Sequence, residues 1–110
     1  YEIFRKAEAV IEEETDAPMT VTALARRLDL PPEIVREAFV ETVGTGPGAW
    51  LRRQRLNGAH RDLRTAGQSG ETISQIAMRW GFWHLGRFSG YYADLFGETP
   101  SQTLKGRTRA

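Results

Sequence analysis

At 110 residues the chain suits one domain, or two very small ones sharing a core. It is 40% hydrophobic and 26% charged, ordinary for a soluble globular chain, and its formal net charge of +1 does not by itself announce a polyanionic partner. The absence of cysteine excludes disulfides and thiolate zinc sites and fits a reducing compartment, while no apolar run approaches the ~18–20 residues of a membrane span and no signal peptide is visible.

Charge is unevenly placed. Residues 1–16 carry six acids against two bases, a local net of −4. Residues 49–65 carry five arginines against Asp62, a net of +4, and residues 79–110 five bases against two acids, a net of +3. A basic C-terminal two-thirds behind an acidic leader suits a polyanion, although surface charge alone is weak evidence. The chain begins at Tyr1 rather than Met and is expected to be a fragment of a longer protein.

Helical periodicity dominates and strand alternation is nearly absent. Residues 1–14 read as a first helix with Ile3, Ala7, Val10 and Ile11 on one face, broken at residues 16–18. Thr20 is placed to cap a short helix over 21–28. Asp29-Leu30-Pro31 is a turn, and Pro32 suits the first position of a helix that runs to Val43 and stops at Gly44. After the loop 44–49 a long helix is predicted over 49–65, with Leu51, Leu56, Ala59 and Leu63 as its apolar face. Residues 66–71 read as a loop, and Thr72 caps a helix over 73–80. Gly81 turns the chain into a helix that ends at Gly97, and Thr99-Pro100 opens a last short helix through Leu104. The tail from residue 106 is expected to fray.

An internal repeat organises these elements. Thr20, Val21, Leu24, Ala25 and Leu28 recur as Thr72, Ile73, Ile76, Ala77 and Trp80, an offset of 52. After one inserted residue Val35, Ala38, Phe39, Val43 and Gly44 recur as Phe88, Tyr91, Tyr92, Phe96 and Gly97, an offset of 53. Two copies are too few for a solenoid and make instead a pair of equivalent modules joined by the long helix. Each is a short helix, a tight turn and a second helix, the helix-turn-helix layout. Ala25 and Ala77 leave room for the second helix to cross, and Asp29 and Gly81 stand where the turn needs a left-handed residue. The glycine-rich, aromatic stretch 81–100 then reads as a packed helix: Phe82, Phe88, Tyr91, Tyr92 and Phe96 recur at helical spacing and are expected in the core, each contributing roughly 1.5–3 kcal/mol when buried. The fold class is all-α, with about seven helices. Residues 1–48 form the first module with its leading helix, 49–65 the linker helix, 66–105 the second module and 106–110 the tail.

The second module stands as "ISQIAMRWGFWHLGRFSGYYADLFGETPS". It resembles the DNA-binding domain of the AraC/XylS family of bacterial transcription regulators through Ile73, Ile76, Ala77, Gly81, Phe82, Phe88, Ser89, Tyr92, Phe96, Gly97 and Pro100. In the first module Leu24, Ala25, Leu28, Phe39, Gly44 and the linker start Leu51 to Leu56 match as well. The resemblance covers residues 20–104. It implies two recognition helices set about one DNA turn apart, roughly 34 Å, in consecutive major grooves of an asymmetric promoter site. It also implies a cytoplasmic transcription factor that acts through RNA polymerase, with an effector or dimerisation domain elsewhere in the same chain.

On that resemblance the second module reads bases from Leu85, Gly86, Ser89 and the position of Gly90, where the family often carries a basic residue. Leu85 can meet a thymine methyl, and Gly86 permits close approach. His84 and Arg87 are candidates for phosphate contact, His84 equally for a plain turn residue. In the first module Glu33, Arg36 and Glu37 are the exposed candidates for base readout, with Arg36 best suited to guanine. Glu33 and Glu37, continued by Glu41, can accept from cytosine N4, form a solvated face, or pair with Arg36 or a linker arginine. Arg52, Arg53 and Arg55, with the capping residues Thr20 and Thr72, complete the phosphate candidates. The arginines can also simply solubilise a long helix. Gly58, in mid-helix, costs ~1 kcal/mol relative to Ala with no evident reason in the sequence.

Two other classes compete. An enzyme would need a nucleophile–base–orienter set, and with only His60 and His84, no cysteine and no phosphate-cradling glycine loop none is visible. No catalytic residue, metal or cofactor is therefore expected. A helical protein-interaction domain with weak or no DNA binding is favoured only by the acidic first recognition helix.

Overall fold

The computed structural model describes residues 1–13 and 19–106. Over them the chain forms seven helices and no strand: α1 (Glu2–Glu13), α2 (Val21–Leu28), α3 (Pro32–Val43), α4 (Pro47–Ser69), α5 (Ile73–Arg79), α6 (Leu85–Phe96) and α7 (Pro100–Leu104). The break expected at residues 16–18 and the tail 107–110 lie outside the described residues. Two compact units divide the chain, Tyr1–Gln54 and Arg55–Ala110, and α4 runs from one into the other.

In the first unit the Thr20 hydroxyl accepts the Ala23 N–H at 3.0 Å and caps α2. Asp29, at φ 58°, ends α2 in the left-handed conformation, and the Leu30 N–H returns to the Ala25 carbonyl at 3.0 Å. Pro32 opens α3 and Gly44, at φ 78°, closes it. Leu24, Val35 and Phe39 are fully buried between the two helices. The leading helix departs from the expected face. Phe4 and Ala7 are buried, while Ile3, Val10 and Ile11 are half-buried. Phe4 takes the anchor position because its ring meets Phe39 and Trp50 edge-on, at centroid distances of 5.0 and 5.6 Å.

The second unit repeats the device. Thr72 and Gln75 cap α5 reciprocally, and the Phe82 N–H returns to the Ala77 carbonyl at 2.9 Å, the counterpart of the Leu30 bond. Gly81 turns at φ 86° and α5 stops at Arg79, with Trp80 as its C-terminal cap. α4 is longer than the periodicity predicted. It begins at Pro47, where a missing N–H costs nothing, and it continues through Ser69, which brings Ala66 into the core at full burial. Leu56, Ala59 and Leu63 are buried with it, against Ile76, Phe88 and Tyr92.

Gly58 is explained here. A Cβ at this position would lie 2.4–2.6 Å from three ring carbons of Trp80, so only glycine lets the indole lie on α4. Trp80 is tethered there by its Nε1–H, which donates to Asp62 at 2.8 Å. The aromatic stripe is a correction in one member. Phe82, Phe88 and Tyr92 are buried and Phe96 half-buried, but Tyr91 is 37% exposed, because the four-residue row 88–92–96 faces inward and Tyr91 falls off it.

A polar chain crosses this core. His60 Nδ1 lies 2.7 Å from the Tyr92 hydroxyl, which donates to the Thr103 hydroxyl at 2.7 Å, and Thr103 donates to Glu98. His60 also stacks on Phe96 at 4.2 Å and 13°. Burial pushes the Tyr92 phenol up to about 12. Burial, and then the Arg64 charge, hold His60 below its ordinary value against a smaller opposing effect of Glu98.

Candidate nucleic-acid interface

The second helix of each module, α3 and α6, starts without a side-chain cap. Pro31 precedes α3 and His84 precedes α6, and neither side chain bonds the first turn. α2, α5 and α7 are each capped by a threonine hydroxyl. In α6 the N–H groups of Leu85, Gly86 and Arg87 are therefore left for solvent or for an anion, whereas in α3 Pro32 has no N–H and the Ile34 N–H donates to the Pro31 carbonyl at 3.1 Å, so that only the Glu33 N–H is left.

On α6 the candidates fall into two four-residue pairs. Leu85, 43% exposed, and half-buried Ser89 form one; Gly86 and Gly90, both exposed, form the other. A Cβ at Gly86 or Gly90 would meet nothing within 4 Å. Each glycine costs roughly 0.5–1 kcal/mol in a helix relative to alanine, and nothing inside the domain requires either. Gly58 and these two thus differ: an internal ring requires the first, and no internal contact requires the others. His84 and Arg87 are exposed beside them. Trp83, to which the sequence assigned no role, is 74% exposed immediately before His84.

On α3, Glu33, Glu37 and Glu41 form one exposed row and Arg36 with Val40 the next. The described ion pairs are Arg27–Glu13, Arg79–Asp62 and Arg79–Glu71, so the pairing left open for Arg36, Glu33 and Glu37 is not made. Those three side chains present their charges to solvent.

The phosphate candidates differ among themselves. Arg53 is exposed and Arg52 half-buried. Arg55 is also half-buried, its Nε is closed to solvent, and burial lowers its pKa from the ordinary guanidinium value. The Thr20 and Thr72 hydroxyls accept the Ala23 and Gln75 N–H groups as caps, which leaves each O–H free to donate. Arg79, counted in the basic C-terminal charge, is neutralised locally by Asp62 and Glu71.

Two uncapped second helices on repeated turns define a helix-turn-helix protein. A family model described as a helix-turn-helix domain matches residues 24–106. The chain is 36% identical over 103 residues to a probable thc operon regulatory protein of Rhodococcus erythropolis, covering 94% of this chain and 31% of that protein. It is 31% identical over 102 residues to the XylDLEGF operon transcriptional activator of Pseudomonas putida, covering 93% and 32%. A probable AraC family transcriptional regulator from Rhodopseudomonas palustris CGA009, solved by crystallography, superposes over 100% of both chains with a TM-score of 0.86 and 34% identity. The chain belongs to the AraC/XylS family of transcription regulators and corresponds to their DNA-binding domain. It spans about a third of the length of the curated relatives it matches.

Proposed function

We propose that the chain binds double-stranded DNA sequence-specifically, with α3 and α6 as recognition helices in consecutive major grooves of an asymmetric promoter site. The observation that carries this reading is the pair Gly86 and Gly90. They weaken α6, serve no internal contact, and strip its exposed face so that backbone can approach base edges closely. Base readout on α6 then falls to Leu85, Gly86 and Ser89, and on α3 to Arg36, with Glu33 and Glu37 accepting from cytosine amino groups. Thr20, Thr72, Arg52, Arg53, His84 and Arg87 contact phosphates. Arg55, with its Nε closed to solvent, is the least suited of the proposed phosphate set. RNA polymerase, an effector or dimerisation domain in the longer chain, and a cytoplasmic location complete the proposal.

Affinity selection from a random duplex pool tests it. The expected product is one asymmetric site of two short motifs about one helical turn apart. A single enriched motif would refute two-groove reading. It would favour a protein contact for α3, whose exposed face carries Glu33, Glu37 and Glu41 beside the apolar Ile34 and Val40.

A further inference from the structure

The two turns are alike up to one residue. In the first module the left-handed Asp29 is followed by Leu30 and then by Pro31, which precedes α3. In the second the left-handed Gly81 is followed by Phe82, Trp83 and then His84, which precedes α6. Leu30 and Phe82 make the same backbone return bond, to Ala25 and Ala77, and both pack on their cores. Pro31 and His84 occupy the same position before their helices. The single residue inserted into the repeat is therefore Trp83.

The inserted residue has no internal task. Its side chain is 74% exposed, the most exposed of the large hydrophobics, and nothing among the described residues accepts a hydrogen bond from its Nε1–H. The other two tryptophans are used inside. Trp50 packs on Phe4 and Phe39, and Trp80 lies on Gly58 and donates to Asp62. An indole is a large apolar plate with one donor and no acceptor. The DNA backbone offers the matching surface, apolar deoxyribose faces alternating with phosphate acceptors. Trp83 stands two residues before Leu85, at the end of α6 where His84 and Arg87 are also exposed.

On the proposed DNA reading, we infer that Trp83 is a backbone anchor: its ring lies on deoxyribose at the edge of the groove α6 enters, and its Nε1–H donates to a phosphate. It supplies to the second module a grip that Leu85, Gly86 and Gly90 cannot, since none of these side chains can donate a hydrogen bond. The first module, with Pro31 and no inserted residue, has no equivalent.

The test uses the whole 110-residue chain and the duplex enriched from the random pool. Acrylamide quenching of tryptophan emission reports chiefly Trp83, because the other indoles are packed. Saturating duplex should protect that emission in the wild type, and the protected component should be missing in Trp83→Phe. Trp83→Phe, which keeps a ring without the N–H, should bind about tenfold more weakly, the scale of a hydrogen bond to a charged group, and Trp83→Ala more weakly still. Both variants should keep the wild-type salt slope, because no cation is lost. Substitution at so exposed a side chain leaves the fold intact, which wild-type helicity and melting temperature would verify. If the wild type binds the duplex yet its emission stays fully quenchable, or Trp83→Ala binds as tightly, the anchor is wrong and the DNA reading stands. If the wild type binds no duplex, both fail.

Discussion

Replacing Gly58 with alanine sets two effects of known sign against each other. Helix propensity alone makes Gly58→Ala stabilising by about 1 kcal/mol, because alanine loses less backbone entropy. The structure reverses that sign. The new methyl would stand 2.4–2.6 Å from three carbons of the Trp80 ring, far inside van der Waals contact. The indole cannot swing aside freely, since its Nε1–H is held by Asp62 at 2.8 Å and Asp62 also receives Arg79 at 2.8 Å. Overpacking of this kind costs about 1–3 kcal/mol, and releasing the bond to a charged partner costs about as much. By either route the net is a loss of up to about 2 kcal/mol, a fall in Tm of up to about 8 °C for a domain of this size. Thermal unfolding followed by helical circular dichroism measures it. The companion Gly58→Ala, Trp80→Leu should lose less than the sum of the single changes, because the clash is gone. A Gly58→Ala protein that melts at or above the wild-type temperature would refute the account of this glycine.

The opposite outcome is expected at Gly86 and Gly90. Alanine at each should raise stability by roughly 0.5–1 kcal/mol, since open space surrounds both, yet weaken binding to the selected duplex; unaltered binding would remove close backbone approach from the mechanism. His60 predicts an acid limb in stability. Its folded pKa lies below the unfolded value of 6.5, so the unfolded chain takes up the proton first and stability falls as pH drops below that value, levelling off under the folded pKa. Urea midpoints between about pH 5 and 8 should show this slope in the wild type and a shallower one in His60→Gln, and equal slopes would count against it. Arg36→Ala should weaken the specific complex by about 1–3 kcal/mol, 5- to 150-fold, and non-specific binding much less. Equal losses on both would make Arg36 a phosphate contact.

The features legible in the sequence are those set by local backbone chemistry. Asp29 and Gly81 in the left-handed conformation, Pro32 at the start of α3, Gly44 and Gly97 at helix ends and threonine caps at positions 20, 72 and 99 each follow from one residue and its neighbours. The buried stripe Leu51, Leu56, Ala59 and Leu63 follows from period alone. What escaped depends on partners distant along the chain. Phe4 displaced Ile3 as the anchor of α1 because of rings at positions 39 and 50. Gly58 looked unexplained until Trp80 lay on it, and the line from His60 to Glu98 joins residues 38 positions apart. The candidate site divides in the same way. The four-residue rows on α3 and α6 are helical arithmetic. The unpaired state of Arg36 and the burial of the Arg55 Nε required the packed structure.

The most direct test of the central claim is the salt dependence of binding to the selected duplex and to a scrambled duplex of equal length. The account predicts that log K falls linearly with log salt on both, that the selected site remains tighter throughout, and that Arg52→Ala with Arg53→Ala reduces the slope by roughly one per lost phosphate contact. A flat salt dependence with equal affinity for the two duplexes would contradict sequence-specific DNA binding by this chain.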